Sequence, residues 1–100
     1  MIAVPAAFTR PTGEAHWEVL LRARAIETGS FVLAPAQGGA HEDGRSTWGR
    51  SMIIDPWGKV LAQAEGDDPC VVTADLDLDQ TSAARQAIPA LLNERAFAAP

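Results

Sequence analysis

The sequence has a single cysteine, no long apolar run and an excess of negative charge. One cysteine among 100 residues excludes an internal disulfide framework and is typical of a reducing, cytoplasmic setting. No apolar stretch is long enough to cross a bilayer, and the N-terminus lacks the pattern of a signal peptide. The formal charge of −5 argues against a nucleic-acid or anionic-membrane surface. We therefore expect one cytoplasmic globular domain over residues 1–100.

The longest regular pattern, over residues 12–29, predicts an amphipathic helix. Its interior is rich in good helix formers, Thr12 or Gly13 can cap its start, and Gly29 supplies a left-handed stop. Glu18 and Arg22 have the spacing of an ion pair. Two polar patches alternate with two apolar flanks, so we expect the helix to pack on two sides. One apolar flank is Val19, Ala23 and Ile26, and the other is Trp17, Leu21 and Ala25. One polar patch is Glu14, Glu18 and Arg22, and the other is His16, Arg24 and Glu27.

The remaining segments predict strands and turns, which makes the fold class α/β. The expected strands are residues 1–5, 30–37, 49–54, 59–65 and 69–75, with a tight turn over residues 55–58. Residues 38–48 are expected to form a glycine-rich polar loop. Asp77 or Asp79 is expected to cap a short helix reaching about Gln86, before an irregular tail that ends at Pro100.

Several short motifs follow one another in a specific order. They are VPAAFT at residues 4–9, HWE at 16–18, RARAIE at 22–27, then Gln37, Gly39, His41, Arg45, Gly49 and Ser51, and DPWG at 55–58. In this order and spacing they resemble the C-terminal part of the nitrilase, or carbon-nitrogen hydrolase, superfamily. Within it, the resemblance is strongest to the Nit-type, deaminated-glutathione amidase-like enzymes.

This resemblance implies the C-terminal portion of a nitrilase-like four-layer α-β-β-α sandwich. It also implies hydrolysis of the amide of a small carboxylate-bearing compound, with an amide or nitrile substrate, no cofactor and a homodimer or larger homo-oligomer. Such enzymes use a cysteine nucleophile, a glutamate base and a lysine that stabilises the oxyanion. The resemblance places all three upstream of the matched stretch, so we expect no catalytic residue in this chain and no activity from it alone.

Two other functions fit the same residues. One is a non-catalytic α/β scaffold or assembly subunit that keeps the nitrilase dimer surface. The other is a small acidic binding module with its ligand in the loop over residues 38–48.

Cys70 is the one thiol that could act as a nucleophile. In the predicted strand it alternates with Val72, Ala74 and Leu76, which places it on an apolar face. We therefore expect Cys70 to be buried and inert.

Phe8, Thr9 and Arg45 are the candidate substrate-binding residues. By the resemblance, Phe8 and Thr9 follow the strand next to the nucleophile and line the acyl pocket, although Phe8 fits an ordinary core position equally well. Arg45 either holds its loop by bonding backbone carbonyls or attracts a substrate carboxylate near the pocket entrance. His41, Glu42 and Asp43 belong to a solvated loop in our interpretation, so no metal site is predicted.

The polar patch of His16, Arg24 and Glu27 is the predicted self-contact. Nitrilase-like enzymes pair helix layer to helix layer, so we expect one apolar flank of the helix to face the sheet. The patch would then lie at a two-fold interface, with Arg24 and Glu27 paired within the helix or across the axis.

Overall fold

A computed structural model describes residues 1–98, and it combines one long helix with short strands. In chain order the elements are β1 (Ile2–Ala3), α1 (Arg10–Thr28), β2 (Val32–Ala34), β3 (Gly38–Ala40), β4 (Ser46–Trp48), β5 (Met52–Ile54), β6 (Val60–Gln63), α2 (Asp79–Ala87) and a 3₁₀ helix (Ala90–Asn93). This mixture confirms the predicted α/β class. The end of the predicted tail, at Pro100, lies outside the described residues.

The strands β1, β2, β5 and β6 form a four-stranded sheet in that order. β1 and β2 are parallel, with Ile2 opposite Val32, and α1 is the crossover that a parallel pair requires. β5 runs antiparallel to β2, and β6 antiparallel to β5. The chain therefore leaves β1, β2 and β6 at the same edge of the sheet, which we call the carboxyl edge.

One stripe of α1 forms the core with one face of this sheet. Trp17, Leu21 and Ala25 are buried at intervals of four residues, which places them one above another on the helix. Val19 and Ile26 are 67% and 46% exposed, so the flank that contains them is the outer one. The core cluster is Trp17, Leu21, Ala25, Val32, Ala34, Met52 and Ile54.

The start of α1 differs from the prediction. The helix begins at Arg10, and Thr9 is its N-cap, so a cap at Thr12 or Gly13 is wrong. Pro11 lies in the first turn of the helix. Proline suits this position because the N–H that it lacks would have no helical partner there, and because its fixed φ is a helical one.

The other end of α1 and its ion pairs match the prediction. Gly29 ends the helix in the left-handed conformation, with φ of 55°. Glu18 and Arg22 form the predicted pair at 3.4 Å. Arg24 and Glu27 lie 3.0 Å apart within the same helix, both more than half exposed in the single chain. Burial of this pair at a self-contact stays a prediction.

The glycine-rich segment over residues 38–48 is a β-hairpin and not the predicted loop. β3 pairs antiparallel with β4, with Gly38 opposite Trp48 and Ala40 opposite Ser46. The turn is closed by a hydrogen bond from the His41 N–H to the Arg45 carbonyl, at 2.9 Å. Backbone hydrogen bonds hold these two strands together and do not require alternating apolar residues. The polar composition of the segment therefore gave no strand signal.

The predicted strand over residues 69–75 is also wrong. Within the described residues this segment has no strand partner. Val72, Ala74 and Leu76 are half-buried in alternation with exposed neighbours, as expected for an extended chain. Cys70 is exposed, which corrects its predicted burial. The alternation of apolar and polar residues predicts an extended backbone. It does not show whether a neighbouring strand is present to form a ladder of hydrogen bonds.

The predicted turn and short helix are present. The Asp55 carboxylate accepts hydrogen bonds from the N–H groups of Trp57 and Lys59, at 2.8 and 2.9 Å. α2 begins at Asp79 with Leu78 as its N-cap and no side-chain capping bond, so the predicted cap at Asp77 or Asp79 is wrong. The Asp77 carboxylate accepts the Asp79 N–H at 3.1 Å just before the helix. Among residues 1–98, no helix has the length and apolar character needed to cross a membrane.

Gly13 gives the first testable prediction. It is buried inside α1, and a Cβ atom there would overlap the Cβ and Cγ atoms of Trp48. Gly13→Ala should therefore lower the free energy of unfolding by about 1–3 kcal/mol, as overpacking does. Helix propensity alone would instead raise it by about 1 kcal/mol.

Chemical denaturation measures this difference. The control is Ala23→Gly on the exposed flank, which should cost about 1 kcal/mol by propensity alone. A Gly13→Ala protein more stable than the unmodified one would contradict the close approach of α1 to β4.

Candidate functional site

A cleft of about 480 Å³ lies at the carboxyl edge of the sheet. Its walls come from the segment after β2, the residues just before β5 and the segment after β6. In α/β sheets, ligands bind outside the carboxyl ends of the strands, which makes this cleft the candidate site. The lining residues are Ala36, Gln37, Gly38, His41, Gly49, Arg50, Ser51, Ala64, Gly66, Asp67, Asp68, Pro69 and Cys70.

A second, shallower pocket continues the cleft toward β1. It is formed by residues 5–7 and residues 35–37, so Ala36 and Gln37 belong to both cavities. Two hydrogen bonds of 3.0 Å hold these segments together, from the Ala6 N–H to the Pro35 carbonyl and from the Gln37 N–H to the Ala6 carbonyl. The ends of both parallel strands thus contribute to one continuous surface.

Ser51 braces the floor of the cleft. Its Oγ accepts the Ala36 N–H at 2.9 Å and donates to the Ala36 carbonyl at 3.3 Å. Both the proton and a lone pair of the hydroxyl are therefore engaged in holding the end of β2 to the start of β5. This arrangement suits a structural hydroxyl better than a nucleophile.

Two arginines converge on Trp48 at the rim. The guanidinium carbons of Arg10 and Arg50 lie 5.9 and 5.2 Å from the centre of its ring. Arg10 donates to Asp67 at 2.7 Å, and Arg50 donates through Nη1 to the Gly66 carbonyl at 3.1 Å. The segment after β6 is thereby fastened to the hairpin and to the start of α1.

The backbone of Arg50 has an uncommon conformation. Its φ is +63°, a left-handed value that costs free energy in a residue with a side chain. Its carbonyl accepts the indole N–H of Trp17 at 2.9 Å, which ties it to the core stripe of α1. Strained backbone of this kind is concentrated at functional sites, which directs attention to Arg50.

Phe8 and Thr9 do not line the cleft. Phe8 is half-buried, its ring centre is 5.2 Å from that of Trp17, and its carbonyl accepts the Trp48 N–H at 3.0 Å. The Thr9 hydroxyl lies 2.8 Å from that of Thr12, at the start of α1. Contact of either residue with a substrate stays a prediction.

Arg45 lies at the tip of the hairpin, outside the cleft. Its side chain is 76% exposed, and its Nε donates to the Asp43 carboxylate at 2.6 Å. The backbone N–H and the guanidinium of Arg45 hold the pKa of Asp43 below its usual value. One of our two interpretations was that the Arg45 guanidinium bonds backbone carbonyls. In the structure it bonds the Asp43 carboxylate instead.

His41 and Cys70 complete the polar wall. The Nε2 of His41 lies 2.7 Å from the Thr47 hydroxyl, so this ring nitrogen already has a partner. Cys70 is exposed at the end of the segment that follows β6. In the part of the chain that the structure describes, no three His, Cys, Asp or Glu side chains are placed to hold a metal ion.

Arg10, Trp48 and Arg50 are the site residues that sequence reasoning missed. The contact between Arg10 and Asp67 joins residues 57 positions apart, which no local pattern indicates. The left-handed conformation of Arg50 is equally invisible, since glycine is the residue that usually marks it.

The model of the carbon-nitrogen hydrolase family matches residues 1–86. The probable hydrolase nit2 of Schizosaccharomyces pombe is 52% identical over 93 residues, which cover 91% of this chain and 34% of that protein. The deaminated glutathione amidase of Synechocystis sp. (strain PCC 6803) is 50% identical over 91 residues, which cover 91% of this chain and 33% of that protein. The chain therefore spans about a third of the length of these relatives.

Solved structures agree with the sequence matches. The Caenorhabditis elegans NitFhit protein has a TM-score of 0.75 and 42% identity, covering 93% of this chain and 23% of that chain. Saccharomyces cerevisiae Nit3, a member of branch 10 of the nitrilase superfamily, has a TM-score of 0.78 and 30% identity, covering 93% and 34%. These likenesses confirm the predicted resemblance and its fold, as a portion of a nitrilase-superfamily structure.

Proposed function

Because the chain belongs to the carbon-nitrogen hydrolase family, we propose that it forms the C-terminal portion of an enzyme that hydrolyses the amide of a small carboxylate-bearing compound. The observation that carries this proposal is the family match over residues 1–86, which includes every residue lining the cleft. The 50% identity to a deaminated glutathione amidase favours an amide as the substrate. The single cysteine favours a cytoplasmic setting.

The proposed chemistry is nucleophilic catalysis by a cysteine. Its thiolate attacks the amide carbon, ammonia leaves with a proton from a glutamate, and water then hydrolyses the thioester to release the carboxylate product. A lysine stabilises the negative oxygen of each tetrahedral intermediate. We assign all three groups to a part of the protein outside these 100 residues.

The position of the chain's own cysteine and lysine supports that assignment. Lys59 is the only lysine, and it immediately precedes β6, whereas Cys70 follows β6 at the cleft. The strand between them separates the two side chains to opposite edges of the sheet. Cys70 and Lys59 therefore cannot act on one carbonyl group, which the reaction requires.

The contribution of this chain is the wall and floor of the site. The segment over residues 5–7 and the braced end of β2 form a shallow surface beside the cleft, suited to an acyl chain. Phe8 and Thr9 follow that segment directly, and we propose that they shape the acyl pocket from behind it. This role needs rigid support, which the packing of Phe8 on Trp17 provides.

The activity prediction follows from the same division of roles. The isolated 100 residues should release no ammonia from ω-amides or simple nitriles, because the nucleophile, base and oxyanion group are missing from them. The complete protein should release ammonia, and Cys70→Ala in that protein should still release it, because Cys70 lines the cleft without being the nucleophile.

Two outcomes would oppose this account. Turnover by the isolated chain that Cys70→Ala abolishes would make Cys70 the nucleophile. A folded complete protein that is inert toward amides and nitriles would favour the non-catalytic scaffold.

We also propose that the complete protein is a homodimer or larger homo-oligomer whose subunits pair through the outer side of α1. The exposed Val19, Leu20 and Ile26 give this side an apolar component, and Arg24 and Glu27 give it a charged one. In a two-fold interface each charge must meet an opposite charge on the equivalent surface of the other subunit. Arg24 and Glu27 carry opposite charges and are already paired within the helix, so they can meet this requirement.

Arg24→Ala tests this interface. If the pair is desolvated between subunits, the substitution should cost about 3–5 kcal/mol, because Glu27 is left without a partner. The exposed pair of a single chain would cost only about 0–1 kcal/mol. Sedimentation and thermal melting of the complete protein measure both effects, with Glu18→Gln on the other polar patch as the control. An unchanged dimer with an unchanged melting temperature would mean that the patch is solvated surface.

A further inference from the structure

We propose that Arg50 is the residue that binds the substrate carboxylate, a specificity role that rests on the proposed amide hydrolysis. Arg50 is half-buried as a residue and lines the cleft at the carboxyl edge, where its guanidinium group bonds the Gly66 carbonyl. A planar guanidinium matches a carboxylate with two parallel hydrogen bonds, which makes it suited to select such a substrate.

The guanidinium of Arg50 is held in place before any ligand binds. One of its faces lies on the Trp48 ring, at 5.2 Å from the ring centre, and Nη1 donates to the Gly66 carbonyl at 3.1 Å. Its backbone is fixed by the bond from the Trp17 indole to its carbonyl, at 2.9 Å. A side chain that is already ordered loses little conformational entropy on binding, so its hydrogen bonds contribute more to affinity.

The same guanidinium retains capacity for a ligand. The hydrogen bonds found among the described residues use Nη1 alone, which leaves Nε and Nη2 as donors. Over the same residues, no carboxylate lies within ion-pair distance of Arg50. A positive charge that is ordered and not matched by an acid favours an anionic ligand.

The acidic residues of the cleft do not cancel this charge. Asp67 is paired with Arg10 at 2.7 Å, so the two together are neutral. Asp68 is exposed, and solvent and salt screen its charge.

Arg45, by comparison, is poorly placed for the same task. Its guanidinium is already paired with Asp43 at 2.6 Å, it is largely exposed, and it does not line the cleft. A substrate carboxylate at Arg45 would have to displace an existing carboxylate, whereas Arg50 has no such competitor.

Kinetics on a pair of matched substrates test the proposal in the complete protein. Glutaramate has a carboxylate at the end away from its amide, and valeramide has a methyl group there. Arg50→Gln should lower kcat/KM for glutaramate roughly 10- to 100-fold, the effect of losing charged hydrogen bonds, and leave kcat/KM for valeramide within about twofold. Arg50→Lys keeps the charge without the planar fork and should fall between the two.

Arg45→Gln is the matched control and should change neither substrate. Equal losses on both substrates in Arg50→Gln would overturn the proposal, since a structural role affects both alike. A selective loss of glutaramate turnover in Arg45→Gln would overturn it as well and return the role to Arg45.

Calorimetric binding of glutarate separates this inference from the proposed function. Glutarate carries the same terminal carboxylate as glutaramate and a second carboxylate in place of the amide, so its binding requires no turnover. Binding that Arg50→Gln weakens roughly tenfold or more supports the inference even if the protein hydrolyses no amide. Equal binding by Arg50→Gln and the unmodified protein would refute it, whatever the activity.

Discussion

The packing of α1 on one face of the sheet is the constraint on which the rest of the structure depends. Trp17, Leu21 and Ala25 pack against β2 and β5, and α1 is the crossover that joins β1 to β2 as parallel neighbours. Parallel strands bring their carboxyl ends to a single edge, where the cleft lies. Trp17 connects the core directly with the cleft, because its ring is buried in the core and its indole N–H donates to the Arg50 carbonyl at 2.9 Å. Core packing and site geometry are therefore coupled through one side chain.

The elements that the sequence predicted correctly are those whose signals are local. The spacing of Trp17, Leu21 and Ala25 defines a buried stripe, Gly29 ends its helix, and Asp55 closes its turn through bonds to nearby N–H groups. The hairpin over residues 38–48 was not predicted, because backbone hydrogen bonds hold its strands together and its polar and glycine residues give no strand pattern. The strand predicted for residues 69–75 was wrong because a ladder needs a neighbouring strand, which a pattern within one segment cannot reveal.

The site was less predictable than the fold for a related reason. The motif order indicated the right family and directed attention to Phe8, Thr9 and Arg45, but the cleft is lined by residues brought together over long separations. Arg50 owes its position to Trp17, Trp48 and Gly66, each on a different segment. A guanidinium on a ring face and a carbonyl held by an indole are tertiary contacts, so no spacing rule identifies them. Cys70 is likewise exposed although its neighbours alternate as in a half-buried strand.

The central claim is that the carboxyl edge of this sheet forms part of the substrate site of a carbon-nitrogen hydrolase. A crystal structure of the complete protein with bound glutarate tests it most directly. The account predicts glutarate between residues 5–7 and the cleft, with a carboxylate on the Arg50 guanidinium. Glutarate bound elsewhere, for example in the apolar groove between α2 and the 3₁₀ helix, with the carboxyl edge empty, would contradict the claim.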